Sequence, residues 1–155
     1  MKMLMAVLAI LFAIAGAYAT DKDGYYVYKS DAEGGTGGWA ASTRWYDDVA
    51  PSSGDKVKIN GTATATDGDM TLISTLSGIL VSKNATLTFT LASDGHIAGT
   101  LTGDGTVVKE GAAALYLDRT TNAKGYLLDG GFVINNGELH FPTLSTPASS
   151  TMFFG

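Results

Sequence analysis

The chain has no cysteine, only 3 prolines and 2 histidines, and 16% charged residues in a length of 155. Without cysteine no disulfide can staple the fold, so stability must come from hydrogen-bonded backbone and apolar burial. The two histidines, His96 and His140, belong to no H-x-x-x-H pattern and have no cysteine pair beside them. Zinc-ligand spacing is therefore absent, and no metal and no cofactor is expected. The basic residues stand singly along the chain, which excludes the clustered cationic patch that nucleic acid requires. Helical periodicity is also missing, because beyond Thr20 no window carries apolar residues at i, i+3, i+4 and i+7. The length suits one domain with its own core.

The long apolar run that does exist lies at the start. Lys2 precedes an unbroken apolar stretch from Leu4 to Ala15, followed by Gly16-Ala17-Tyr18-Ala19 and then the polar Thr20-Asp21. Charge, apolar run and an A-x-A site occur in secretory order, so residues 1–19 read as a signal helix removed after Ala19. As an anchor the run is short, about 18 Å of helix against ~30 Å of hydrocarbon. Cleavage would remove Lys2 and leave 9 basic against 15 acidic residues, a net charge of about −6. The expectation is a secreted, periplasmic or cell-surface protein without a stable membrane span in its mature form.

Past the signal, Thr, Gly, Ala, Ser and Asp dominate. Lys56–Asn60, Ala85–Leu91 and Glu138–Phe141 alternate apolar and polar residues, the period of half-buried strands. Asn60-Gly61, Asp67-Gly68-Asp69, Ser93-Asp94-Gly95, Gly103-Asp104-Gly105 and Asn135-Asn136-Gly137 punctuate them with residues that tolerate positive φ. Strand and turn alternate about every ten residues, which fits a sandwich, a hairpin barrel or a solenoid alike. A longer period favours the solenoid: Ala63, Leu87, Leu115 and Leu139, taken as equivalent, recur at nearly even steps, each close to the length of one solenoid coil.

From Leu101 the sequence runs Thr102-Gly103-Asp104-Gly105-Thr106-Val107-Val108-Lys109-Glu110-Gly111, passes through Leu115-Tyr116-Leu117, and reaches Gly130-Gly131-Phe132-Val133-Ile134-Asn135-Asn136-Gly137-Glu138-Leu139. This resembles the autotransporter-associated β-strand repeat. Gly103, Gly105, Lys109, Gly111, Leu115, Leu117, Gly130, Ile134, Gly137 and Leu139 stand at the family's positions. Ala113 replaces a usual Gly, Phe132 replaces a small hydroxyl residue, and Asn122 and Tyr126 are spaced differently. Upstream, Trp39, Trp45, Pro51, Gly54 and Asp55 resemble the opening of the first coil in such passengers. The resemblance implies an all-β fold, a short right-handed single-stranded parallel β-helix. It also implies that residues 20–55 form an aromatic N-terminal cap, with 56–141 as the repeats and 142–155 as a C-terminal tail. A tail leaving the last coil gives the expectation of self-association or of a longer parent protein.

Candidate chemistry is sparse. Asp47-Asp48, Asp67 with Asp69, and Asp94 with Asp104 are the near carboxylate pairs, but aspartate in a turn ordinarily serves the turn. Asp21-Lys22-Asp23 and Asp67-Gly68-Asp69 lack the spaced ligands of a calcium loop. No nucleophile motif is present, so catalysis is not expected. Exposed aromatics can stack on sugar rings, which makes Trp39, Trp45 and Tyr46 the candidate glycan-binding residues. The reading is an exported, non-enzymatic structural or surface-display β-helix. The alternatives are a secreted carbohydrate-binding module on those three aromatics, or part of a polysaccharide-acting enzyme on the same fold.

Overall fold

The computed structural model describes residues 20–118 and 126–141; residues 1–19, read above as a signal helix, Asn122 and residues 142–155, read as a tail, lie outside the described residues. Among the described residues, twelve strands form three sheets. The first holds β1 (Tyr25–Val27), β2 (Lys56–Ile59), β4 (Gly78–Val81), β7 (Thr100–Gly103) and β10 (Tyr126–Leu128). The second holds β3 (Thr62–Thr66), β5 (Thr86–Thr90), β8 (Thr106–Glu110) and β11 (Phe132–Ile134), and the third β6 (Gly95–Ile97), β9 (Ala114–Leu117) and β12 (Glu138–His140). Every pairing between these strands is parallel, and from β4 onward the chain visits the sheets in the order first, second, third before returning to the first. The molecule is therefore a β-solenoid, in which three turns carry a strand in each sheet. An earlier turn carries β2 and β3, with the short helix α1 (Met70–Ile73) packed against β6 in place of a third strand. This helix, and the 3-10 turns at 31–33, 42–44, 46–48 and 67–69, depart from the expectation of no helix. Single turns like these are too short to show a 3.6-residue pattern in the sequence.

Alternating sequence becomes alternating burial. In Lys56-Val57-Lys58-Ile59, Thr62-Ala63-Thr64-Ala65-Thr66 and Thr86-Leu87-Thr88-Phe89-Thr90 the apolar residues are buried and the polar ones lie on the outside or part-covered. Stacking in register turns these into columns: Val57, Ile79 and Leu101 in the first sheet, Ala63, Leu87 and Val107 in the second. Each column is an apolar ladder that only neighbouring coils can cover, so the core exists through stacking.

The expected period is half correct. Ala63 faces Leu87 and Leu115 faces Leu139, but Leu87 faces Val107 and Leu115 faces Gly95, so the middle step joined positions from two different sheets. Along the second-sheet column Ala63, Leu87, Val107, Phe132 the steps are unequal, and the one from Leu87 to Val107 is the shortest. That coil has minimal turns at 91–94, 98–99 and 104–105. Close stacking also explains a glycine of the motif: Gly103 has φ 119°, and a Cβ there would lie 2.0 Å from the Val81 carbonyl oxygen one coil below.

One column contains a charge. Ala65, Phe89, Lys109 and Ile134 are stacked, and Lys109 is 1% exposed. Its Nζ donates to the carbonyls of Glu110 at 2.5 Å and Gly111 at 2.9 Å, tying the corner between the second and third sheets. Burial pushes its pKa down, opposed by the more distant carboxylates of Asp67 and Asp94. Among the described residues, no buried side-chain polar atom lacks a hydrogen-bond partner.

Candidate functional site

Trp39 and Trp45 do not offer a ring to a ligand. Both are 0% exposed and Tyr28 is nearly so. The three rings pack together with centroids 5.3 to 5.6 Å apart, two of the pairs edge to face. Trp45 Nε1 donates to the Trp39 carbonyl at 2.7 Å, and Trp39 Nε1 donates to the carbonyl of Thr64 at 2.9 Å. Thr64 belongs to β3, the edge strand of the second sheet, whose outward backbone groups have no preceding strand to pair with. The Thr64 amide faces the Tyr28 hydroxyl, whose pKa burial nevertheless raises. Asp69 completes the arrangement by accepting from the Trp39 amide at 2.7 Å and from the Thr66 amide and hydroxyl at 2.9 and 2.8 Å. Side chains thus take over the bonding that a strand would supply.

Of the three aromatics singled out in the sequence, Tyr46 alone is exposed, at 41%. Its hydroxyl donates to Glu33 at 2.7 Å and the Lys29 ammonium lies 5.7 Å from its ring centre. Hydrogen bonds from Ser30 and then Tyr46 hold the Glu33 carboxyl below the usual carboxylate range.

Most of the candidate carboxylates are bonded to backbone amides or to a lysine. Asp67 accepts from the amides of Ser93 and Ala92 one coil away, and these bonds, Ser93 first, lower its pKa. Asp69 points to Trp39 instead, and Asp94 accepts from the Ala114 amide at 2.9 Å. Asp21 accepts from the amides of Asp23 and Tyr25, both at 3.0 Å, and from Lys58 at 3.1 Å. Burial works against its charged form, but these bonds outweigh it and leave the pKa lowered. Asp47 and Asp48 both have positive φ, and Asp48 pairs with Lys29 at 3.2 Å. Among the described residues no three His, Cys, Asp or Glu side chains are grouped to hold a metal ion, and no helix is long and apolar enough to cross a membrane.

Two features escaped sequence reasoning. His96, Tyr116 and His140 occupy one outward column of the third sheet and stack face to face, with centroids 4.7 and 4.5 Å apart. His96 Nδ1 lies 2.9 Å from Asp118, and His140 Nε2 lies 2.6 Å from Glu138. Correct coil lengths would have aligned the three rings. Arg44, only 9% exposed, was the second: it lies over the Tyr28 ring at 5.3 Å and donates to the carbonyl of Gly37 from Nε at 2.9 Å and Nη2 at 2.6 Å. No periodic signal marks a lone arginine in a loop.

Comparison with protein-family models, curated proteins and solved structures finds no match to this chain.

Proposed function

We propose that the chain is an exported, non-enzymatic structural β-solenoid of the surface-display kind, right-handed, with the Tyr28, Trp39 and Trp45 cluster as its N-terminal cap. The observation that carries this reading is the continuity of the columns: apolar side chains stack through successive coils, while the turn carboxylates tie one coil to another. A rod built this way gains length by adding coils and needs no active centre. The resemblance of residues 101–141 to passenger repeats and the secretory order of residues 1–19 support the same reading. Its partner would be a longer parent protein or another copy of itself. Expression in a Gram-negative host followed by fractionation and mass spectrometry tests it: a mature species beginning at Thr20 outside the cytoplasm is expected. Intact Met1 retained in the membrane fraction overturns export, and a salt-insensitive monomer in size-exclusion chromatography overturns self-association.

A further inference from the structure

A groove of about 530 Å³ lies between β3 and the loop that carries Ser30, Asp31, Gly37 and Gly38. Thr62, Thr64 and Thr66 line one side of it. Their side chains project from alternate positions of one strand, repeating at about 6.6–6.8 Å. Arg44 and Asp69, each 9% exposed, also line it, and Asp31 hangs over it with its side chain 88% exposed.

We propose that this groove is a binding site for a neutral, hydroxyl-rich ligand, a short oligosaccharide. The charges in the groove argue against an anion. Arg44 is engaged by four hydrogen bonds, to Gly37 twice, to Lys29 and to Asp31, and the remaining charged groups lining the groove, Asp31 and Asp69, are acids. The backbone argues against a peptide strand, because the β3 edge is already occupied by Trp39 Nε1 at the Thr64 carbonyl and by Asp69 at the Thr66 amide. What the groove does present suits a polyol. The Thr62 and Thr64 hydroxyls, which can donate or accept, are exposed and make no hydrogen bond among the described residues. Asp31 binds Arg44 through Oδ1, leaving its second oxygen toward solvent as an acceptor. The volume is of the size usual for small-molecule sites. This site differs from one built on stacked aromatics, since Trp39 stands behind the groove as support.

The display reading does not depend on this site, because a solenoid that binds no sugar remains a rod. The test is a titration of the isotope-labelled full chain, followed by amide chemical shifts, with neutral gluco-, xylo-, manno- and N-acetylglucosamine oligosaccharides and with uronic-acid oligosaccharides. A neutral member is expected to bind and to move the amides of Asp31, Gly37, Thr62 and Thr64. Thr64→Val, which keeps the branched shape and the strand, is expected to weaken binding about tenfold, as is Asp31→Asn. Either variant showing a native amide spectrum serves for the comparison. Absence of binding by every saccharide overturns the proposal, as does preference for the uronic acids. Shifts confined to the surroundings of Tyr46 also overturn it.

Discussion

The first coil and the last described coil treat equivalent positions differently. At the first, the β3 edge is met by Trp39 and Tyr28, and the rings that meet it are shut away from water. At the last, Ile134 sits directly above Lys109 in an inward column, yet Ile134 is 44% exposed where Lys109 is 1%. Phe132, above the fully buried Val107, is only part-covered, with Phe141 edge-on to it at 5.7 Å. In a solenoid burial comes from the coil on either side, so a residue's place in the repeat fixes its direction and its neighbours fix its energy.

The comparison is tested hardest by Trp39→Ala, which removes a fully buried ring and uncovers the Thr64 carbonyl. A loss of about 3–5 kcal/mol is expected in urea unfolding. Next comes Lys109→Ala, expected to cost about 2–3 kcal/mol from cavity and lost hydrogen bonds. Lys109→Met should cost less, because an apolar chain fills the column without a buried charge. The sign with pH is definite: the folded pKa lies below the ordinary 10.5, so the folded state binds the proton less well than the unfolded state. Wild type should therefore gain stability relative to Lys109→Met as pH rises from the folded value toward 10.5, measured as the difference between their unfolding curves. The difference removes the opposing effect of Tyr26 and Tyr28, whose pKa values burial raises.

Tyr116→Ala breaks the stack with His96 and His140 at an exposed face and should cost about 1 kcal/mol in thermal unfolding. Ile134→Ala should cost less than about 1 kcal/mol, since much of the side chain already meets water. A loss there equal to that of Trp39→Ala would erase the distinction between the two coils. The smallest expected effect is that of Asp67→Asn. The lowered pKa of Asp67 gives stability present above the unfolded value of 3.8 and lost as pH falls through the folded one. The variant should flatten the acid limb of the stability curve, read by circular dichroism during acid titration.

Strand positions around Val57, Leu87 and Leu139 were legible because a period of two survives in local sequence. Coil register was less so. The step from Leu87 to Val107 is shorter than those from Ala63 to Leu87 and from Val107 to Phe132, and such variable turns blur a period that a rigid repeat would display. Lys109 shows a different limit: its letter says solvent, while its column says interior, and the hydrogen bonds that reconcile the two come from the backbone of its own corner. Two of the aromatic glycan candidates, Trp39 and Trp45, show the same limit. Composition marked Trp39 and Trp45 as concentrated, but only packing says which way their rings turn.

The grip of Trp39 on the first coil has a consequence for how such a solenoid could change over generations. The indole holds the carbonyl of Thr64, an atom every amino acid possesses, and ignores the side chain there. An attachment of that kind is portable. As far as this contact goes, the side chain at position 64 can vary, and the same aromatic segment could be transplanted onto a coil of unrelated sequence, provided that the backbone kept its course and Asp69 its place.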